Sequence, residues 1–264
     1  MWVKKSLRNA RERGDFPIVN SETRKIWDAN SSWWSKNMAN GNFPEYSEII
    51  IPLSKELFAQ KKLVLDLGTG SGVVAKRIMD NLATKVVGLD LSLKQLQEAT
   101  ENNLGPSYLQ SNSGELPFKS AVFDGLLASM VLEHVGNLQE TVNEIARVLQ
   151  PGGLFVVVMN HPVFQTPGSG LVGSHNSGSD GTGWKVGNYL IESSEIEEIS
   201  DGIYVPYEHR TISTYLNTFL EHGFQLQRVL EPSLIDKNEA MGNIQGNHAI
   251  PRLLVAILKK PLFA

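Results

Sequence analysis

The chain of 264 residues has no cysteine, which rules out disulfides, thiolate nucleophiles and cysteine-ligated metals. It has no excess of either charge: 24 Lys and Arg stand against 28 Asp and Glu, a formal net charge of −4. Nothing in that balance asks for nucleic acid or an anionic membrane. No stretch provides about 18 uninterrupted apolar residues, and the basic start MWVKKSLRNARERGDF lacks the apolar segment of a secretory signal. No HxxxH pattern and no carboxylate cluster has ligand spacing, so no metal is expected. These absences predict a cytoplasmic protein without a nucleic-acid or membrane partner, and a monomer or homodimer is expected.

What is present is a strand and helix rhythm. Residues 1–45 are polar, interrupted by Trp2, Trp27, Trp33 and Trp34, and read as an N-terminal helical cap. The spacing then predicts helix over 49–58, strand over 62–67, helix over 72–82, strand over 85–90, and a helix capped by Ser92 that runs to about 103. Short strands follow at 108–110 and 123–128. Asn137 with Glu140 reads as a capping box for a helix that stops at Gln150-Pro151-Gly152-Gly153, ahead of an apolar strand over 154–159. The stretch PGSGLVGSHNSGSDGTG over 167–183 is too rich in Gly and Ser to pack and reads as a mobile loop. A helix over 211–222, closed by Gly223, leads to strands at 225–230 and 251–259. The pattern is α/β: a doubly wound, mostly parallel, Rossmann-like sheet over 46–264, with 163–210 as a lid insertion after the fifth strand.

Ligands of such sheets bind beyond the carboxyl ends of the strands, where LVLDLGTGSG places Gly68, Gly70 and Gly72. Glycine there admits positive φ and close approach of a ligand to the backbone. The spacing is Asp66-x-Gly68-x-Gly70-x-Gly72, not the GxGxxG of dinucleotide sites, and Asp66 would repel a pyrophosphate. A carboxylate suits an ammonium group, and Asp90, at the end of the second strand, suits a ribose diol. The ligand implied has a ribose and a positive charge but no phosphate.

DLGTGSG, VVGLD, NSGELPFKSAVFDGLLASMVLEHV and EIARVLQPGGLFVVVMNHP, in that order, resemble the motif series of class I S-adenosylmethionine-dependent methyltransferases of the small-molecule type. The resemblance implies a seven-stranded sheet with an antiparallel last strand, and S-adenosylmethionine as cofactor with S-adenosylhomocysteine as product. It implies Asp66, Gly68, Thr69, Gly70 and Gly72 around the methionine end, Asp90 on the ribose hydroxyls and Leu91 against the adenine. Asn112 stands where the family often has an aspartate for the adenine amino group; Ser113 follows it, and Ser129 would lie under the sulfonium. Phe123 and Asp124 read as a structural pair at a strand start.

Methyl transfer needs alignment and, for a neutral acceptor, a base. His134 in EHV and His161 in NHP follow the fourth and fifth strands, and His209 in YEHR lies at the chain's return, so these three are the base candidates. His175, His222 and His248 have no such placement, and Glu133 reads as a solvated carboxylate. Trp34, Trp184, Tyr204 and Tyr207 are candidates for an apolar substrate wall, with Trp33 beside Trp34 in the cap. A nicotinamide oxidoreductase on the same fold is disfavoured by Asp66 and the glycine spacing. A cofactor-binding subunit without activity of its own has no positive sign in the sequence.

Overall fold

The computed structural model describes residues 20–80, 83–172, 183–232 and 250–262; the basic start, His175, His248 and the centre of the glycine-serine segment lie outside them. Seven strands form one sheet: β1 (Leu63–Leu67), β2 (Lys85–Asp90), β3 (Ser107–Gln110), β4 (Phe123–Ser129), β5 (Leu149–Asn160), β10 (Gln225–Leu230) and β11 (Leu253–Lys259), in the order β10-β11-β5-β4-β1-β2-β3. β1, β2, β3, β4 and β5 pair in parallel, while β11 runs antiparallel to both neighbours. The last strand is therefore reversed, as expected.

Alternation along the central strands sorts side chains to two apolar layers. On β5, Phe155, Val157 and Met159 join one layer while Val156 and Val158 join the other; on β11, Leu254, Ala256 and Leu258 oppose Leu253, Val255 and Ile257. The first layer is covered by α5 (Leu138–Val148) and α6 (Ile212–Glu221), through Val142, Ile145, Tyr215 and Phe219. The second is covered by α2 (Ile51–Phe58) and α3 (Val73–Met79), through Phe58, Val74, Ala75 and Ile78. Burial on both faces is why these strands read as unbroken apolar runs. The capping readings appear in the geometry: Ser92 accepts from Gln95 N at the start of α4 (Leu93–Asn102), and Asn137 accepts from Glu140 N. Asp124 accepts from the amides of Lys62 and Leu63 at 2.8 and 2.9 Å, fastening β1 to β4.

Three elements differ from the sequence reading. Gln150-Pro151-Gly152-Gly153 does not separate helix from strand: β5 already pairs at Leu149 with Phe123, and the four residues form an irregularity inside it, with Gly152 at φ +77°. The 167–183 segment carries strand at both ends, β6 (Gly170–Val172) against β7 (Gly183–Lys185). A hairpin of β8 (Ser193–Ser200) and β9 (Ile203–His209) follows. Its first strand, SSEIEEIS, is half-exposed and rich in Glu, so it lacks the apolar run by which buried strands are recognised. In front of the sheet lies α1 (Asn20–Ala39), and a single π-turn over Tyr46–Ile50 leads into α2.

Candidate active site

A cavity of about 730 Å³ opens at the carboxyl ends of β1, β2 and β4 and runs under α1. Its floor is the turn after β1. Gly68 sits at φ +70°, and a Cβ there would run into the Val131 side chain. Asp66, only 2% exposed, accepts a hydrogen bond from Thr69 Oγ1 at 2.7 Å. Burial pushes its carboxyl up to about 7, against the pull of Thr69. Asp90 accepts from the amides of Gly70 and Ser92, both at 2.8 Å; burial raises its carboxyl and those amides draw it back. The Gly68 and Thr69 amides donate to Leu89 O at 2.7 and 2.9 Å. The glycine amides are thus committed to the protein; Val131 fills the space a Cβ would take at Gly68, while Gly70 leaves open backbone on the cavity wall.

Leu91, Asn112, Ser113 and Ser129 line the same cavity as Asp66, Gly68, Thr69, Gly70 and Asp90. Asn112 Oδ1 accepts from Gly114 N at 3.1 Å, and Ser113 Oγ meets Thr141 Oγ1 at 2.9 Å. Gly72 is displaced from the expected group: it is buried behind the turn, off the wall. At φ +79° its missing Cβ leaves the space that the Tyr108 hydroxyl fills.

Of the three base candidates only His134 reaches the cavity. Just past β4, Met130 sits at φ +55°, a left-handed conformation unusual for a side-chain-bearing residue. It turns the chain into one 3₁₀ turn, Leu132–His134. Arg210, 9% exposed, donates to the carbonyls of Leu132, Val135 and Gly136 at 3.3, 2.7 and 2.8 Å. His134 Nδ1 lies 2.6 Å from Pro206 O. A carbonyl only accepts, so Nδ1 carries the proton, and in the neutral ring the lone pair is on Nε2.

His161 and His209 are corrections. His161 follows Asn160, which lines the cavity, so strand alternation turns its ring away. The ring is 2% exposed, with Nε2 donating to Glu231 at 2.9 Å and Nδ1 accepting from Val163 N at 3.3 Å; burial lowers its pKa. His209 is 1% exposed, and its Nε2 donates to Tyr189 O at 2.9 Å. Glu133 is also not the solvated carboxylate expected. It is buried and accepts from Asn160 N at 3.1 Å, and burial raises its carboxyl. His222 Nδ1 bonds Thr218 O at 2.8 Å.

The substrate-wall candidates divide in the same way. Trp34 lines the cavity, and Trp33 with it. Trp184 stacks on Phe164 at 4.5 Å, away from the cavity, with Arg252 over the other ring at 4.3 Å. On β9 it is Val205 that reaches the wall; Tyr204 is on the opposite strand face, and Tyr207 is carried past the cavity into the interior. Residues not anticipated complete the wall: Thr23, Trp27, Met38, Phe43, Glu45 and Tyr46. Thr23, Trp27, Trp34 and Met38 fall on one stripe of α1, a 3.6-residue period written in tryptophan, not in aliphatic residues. That stripe was the available signal. Among the described residues no group of His, Asp and Glu has metal-binding geometry, and no helix is long and apolar enough to cross a membrane.

Residues 65–157 match the family described as methyltransferase domain. A malonyl-[acyl-carrier protein] O-methyltransferase of Enterobacter lignolyticus is 35% identical over 91 residues, 34% of this chain and 36% of that one. The chain thus spans about a third of that relative's length. Among solved structures, an S-adenosylmethionine-dependent methyltransferase of Mesorhizobium loti is 26% identical at a TM-score of 0.63, covering 75% of this chain and 90% of the other. A Listeria monocytogenes protein assigned to the same class is 27% identical at a TM-score of 0.65, covering 76% and 91%.

Proposed function

We propose, from a methyltransferase domain over residues 65–157 and a class I S-adenosylmethionine-dependent methyltransferase fold, that the chain methylates a small-molecule acceptor held beneath α1, with His134 as general base. The observation that carries this reading is one cavity joining the buried Asp66 carboxylate to a histidine whose tautomer is fixed by Pro206.

The residues present fit the cofactor. Asp66 is a carboxylate out of water, and a cation that enters beside it relieves the cost of its ionisation. Open backbone at Gly70 accommodates a close-lying ligand, and Asp90 retains lone pairs for a diol while it accepts from Gly70 and Ser92. Asn112 and Ser113 lie beyond it, where a purine edge would be read, and Leu91 offers an apolar face. S-adenosylmethionine, when bound, supplies a methyl group activated by a sulfonium. The protein's part is to orient the acceptor, exclude water under the roof of α1, and take up the acceptor's proton at His134 Nε2. Glu133, buried behind His134, holds the amide of Asn160 and so ties the loop after β4 to the end of β5.

Calorimetry with S-adenosylhomocysteine and NADH tests the cofactor: the first binds and the second does not, and the reverse result overturns the reading. Transfer of labelled methyl to a small-molecule panel tests the chemistry. His134→Gln is expected to lower turnover about 10²- to 10⁴-fold, the usual range for a general base, with affinity for S-adenosylhomocysteine unchanged. An unaffected rate leaves alignment alone as the mechanism.

A further inference from the structure

The residues assigned to the cofactor leave the part of the cavity under α1 without a role. Five rings wall it: Trp27, Trp33, Trp34, Phe43 and Tyr46. They brace one another, with centroids 6.2 Å apart for Trp27 and Trp34, 5.0 Å for Trp33 and Trp34, 5.1 Å for Trp34 and Phe43, and 6.3 Å for Phe43 and Tyr46. None of the five is fully buried, so each keeps ring surface open.

The charge of the wall is one-sided. Glu45, Asp66, Asp90 and Glu140 line the cavity, and among the described residues no Lys or Arg does. Glu45 adjoins the rings in sequence; burial raises its carboxyl, and Arg252 is the cation that offsets this. Arg252 itself lies off the wall, its guanidinium over Phe164. The Tyr46 hydroxyl sits in the combined field of Glu45, Glu133 and Asp66. Aromatic faces carry negative potential, and a cation set over them in a site shielded from water is attracted more strongly than at an exposed one. With Asp66 and Asp90 taken up by the cofactor, an acceptor carrying a carboxylate would still meet Glu45 beside the rings and no Lys or Arg among the described residues of the wall.

We infer that this aromatic chamber selects an acceptor bearing a basic nitrogen, as an amine or ammonium, over neutral or anionic molecules of the same shape. Calling the occupant the acceptor rests on the methyltransferase reading above; the chamber's preference for a cation does not.

Choline and its uncharged carbon isostere, 3,3-dimethylbutan-1-ol, separate charge from shape, and 3,3-dimethylbutanoate supplies the anion. Binding is measured calorimetrically with the protein saturated in S-adenosylhomocysteine, so that the cofactor carries no sulfonium. The expected result is choline at least about tenfold tighter than the alcohol, as cation–π attraction implies, and no binding of the anion. Glu45→Gln and Trp34→Leu should each remove most of that preference in protein whose melting curve stays cooperative. Equal or tighter binding of the alcohol, or binding of none of the three, overturns the inference, and neither result needs a variant. If S-adenosylhomocysteine itself fails to bind, the methyltransferase reading falls, and the same comparison in cofactor-free protein still decides the chamber's charge preference.

Discussion

At the glycine turn Asp66 and Asp90 are held by hydrogen bonds of 2.7 and 2.8 Å to Thr69, Gly70 and Ser92, whereas under α1 the rings of Trp27, Trp34 and Phe43 lean on one another and the Trp34 indole nitrogen has no hydrogen-bond partner among the described residues. The first half of the cavity is bonded and local, drawn from two short stretches at adjacent strand ends. The second is packed, drawn from a helix and a π-turn that meet only in the folded chain. Directional bonds fix one ligand pose; stacked rings tolerate a change of occupant, because area contact is less demanding than hydrogen-bond geometry. On the proposed reading, the bonded half would take the cofactor and the packed half the acceptor.

Asp66→Asn should break the comparison most severely. It keeps the shape and the bond to Thr69 but removes the charge, and affinity for S-adenosylhomocysteine should fall about 100-fold, in the range seen when one member of a buried charged pair is removed. Calorimetry checks it, and an unchanged affinity would mean that the bonded half does not recognise charge. Next, Arg210→Met removes the guanidinium that holds the carbonyls of Leu132, Val135 and Gly136; Leu132 O keeps the Val135 amide, and the other two lose their charged donor. A hydrogen bond to a charged group contributes about 1.5–3 kcal/mol, so the melting temperature and turnover should both drop while affinity for S-adenosylhomocysteine holds.

A pH series gives a smaller effect. Asp66 titrates near 7 in the folded protein against an ordinary value near 3.8. Between those values the native state holds a proton that the unfolded state has lost, so this group makes stability fall as pH rises through that window. Binding of an ammonium follows the opposite sense: it favours the ionised form, so affinity for S-adenosylhomocysteine should rise by up to about tenfold per pH unit below 7 and level off above it. Calorimetry in buffers of differing ionisation enthalpy should show a proton released on binding at pH 6. The smallest effect sharpens the contrast from the other side: Trp34→Leu should change affinity for S-adenosylhomocysteine by less than about threefold, within the scatter of an indirect contact.

The same contrast explains how much was legible in the sequence. The strands β1 to β5 and the residues from Asp66 to Asp90 follow from period and spacing, because each depends on neighbours a few positions apart, whereas the reversal of β11 follows only from the resemblance of the motif series, and the strand order is set by long-range pairing. His134 could be placed at a strand end from sequence, yet so could His161 and His209, and nothing local says that Asn160 takes the inward face and leaves His161 the outward one. Tyr204 was misplaced for the same reason, since Val205 holds the inward position on β9, whereas Tyr207 shares the face of Val205 and lies one step too far along the strand. The burial of Glu133 depends on Asn160, 27 residues away, a pairing that no window of the sequence contains. Phe43 and Tyr46 join the tryptophans only through a turn between α1 and α2, and turns carry little periodic signal.

One tether remains. Ser92 accepts from Gln95 N and donates to Asp28 Oδ1 at 2.7 Å, while two residues along α1 Asn30 donates to Tyr204 O at 2.6 Å. The helix that covers the cavity is therefore pinned to the turn after β2 on one flank and to the β8–β9 hairpin on the other. On the proposed reading, a spent cofactor that leaves past α1 has to part these bonds, and its residence time would then depend on positions 28 and 30, which need never touch it.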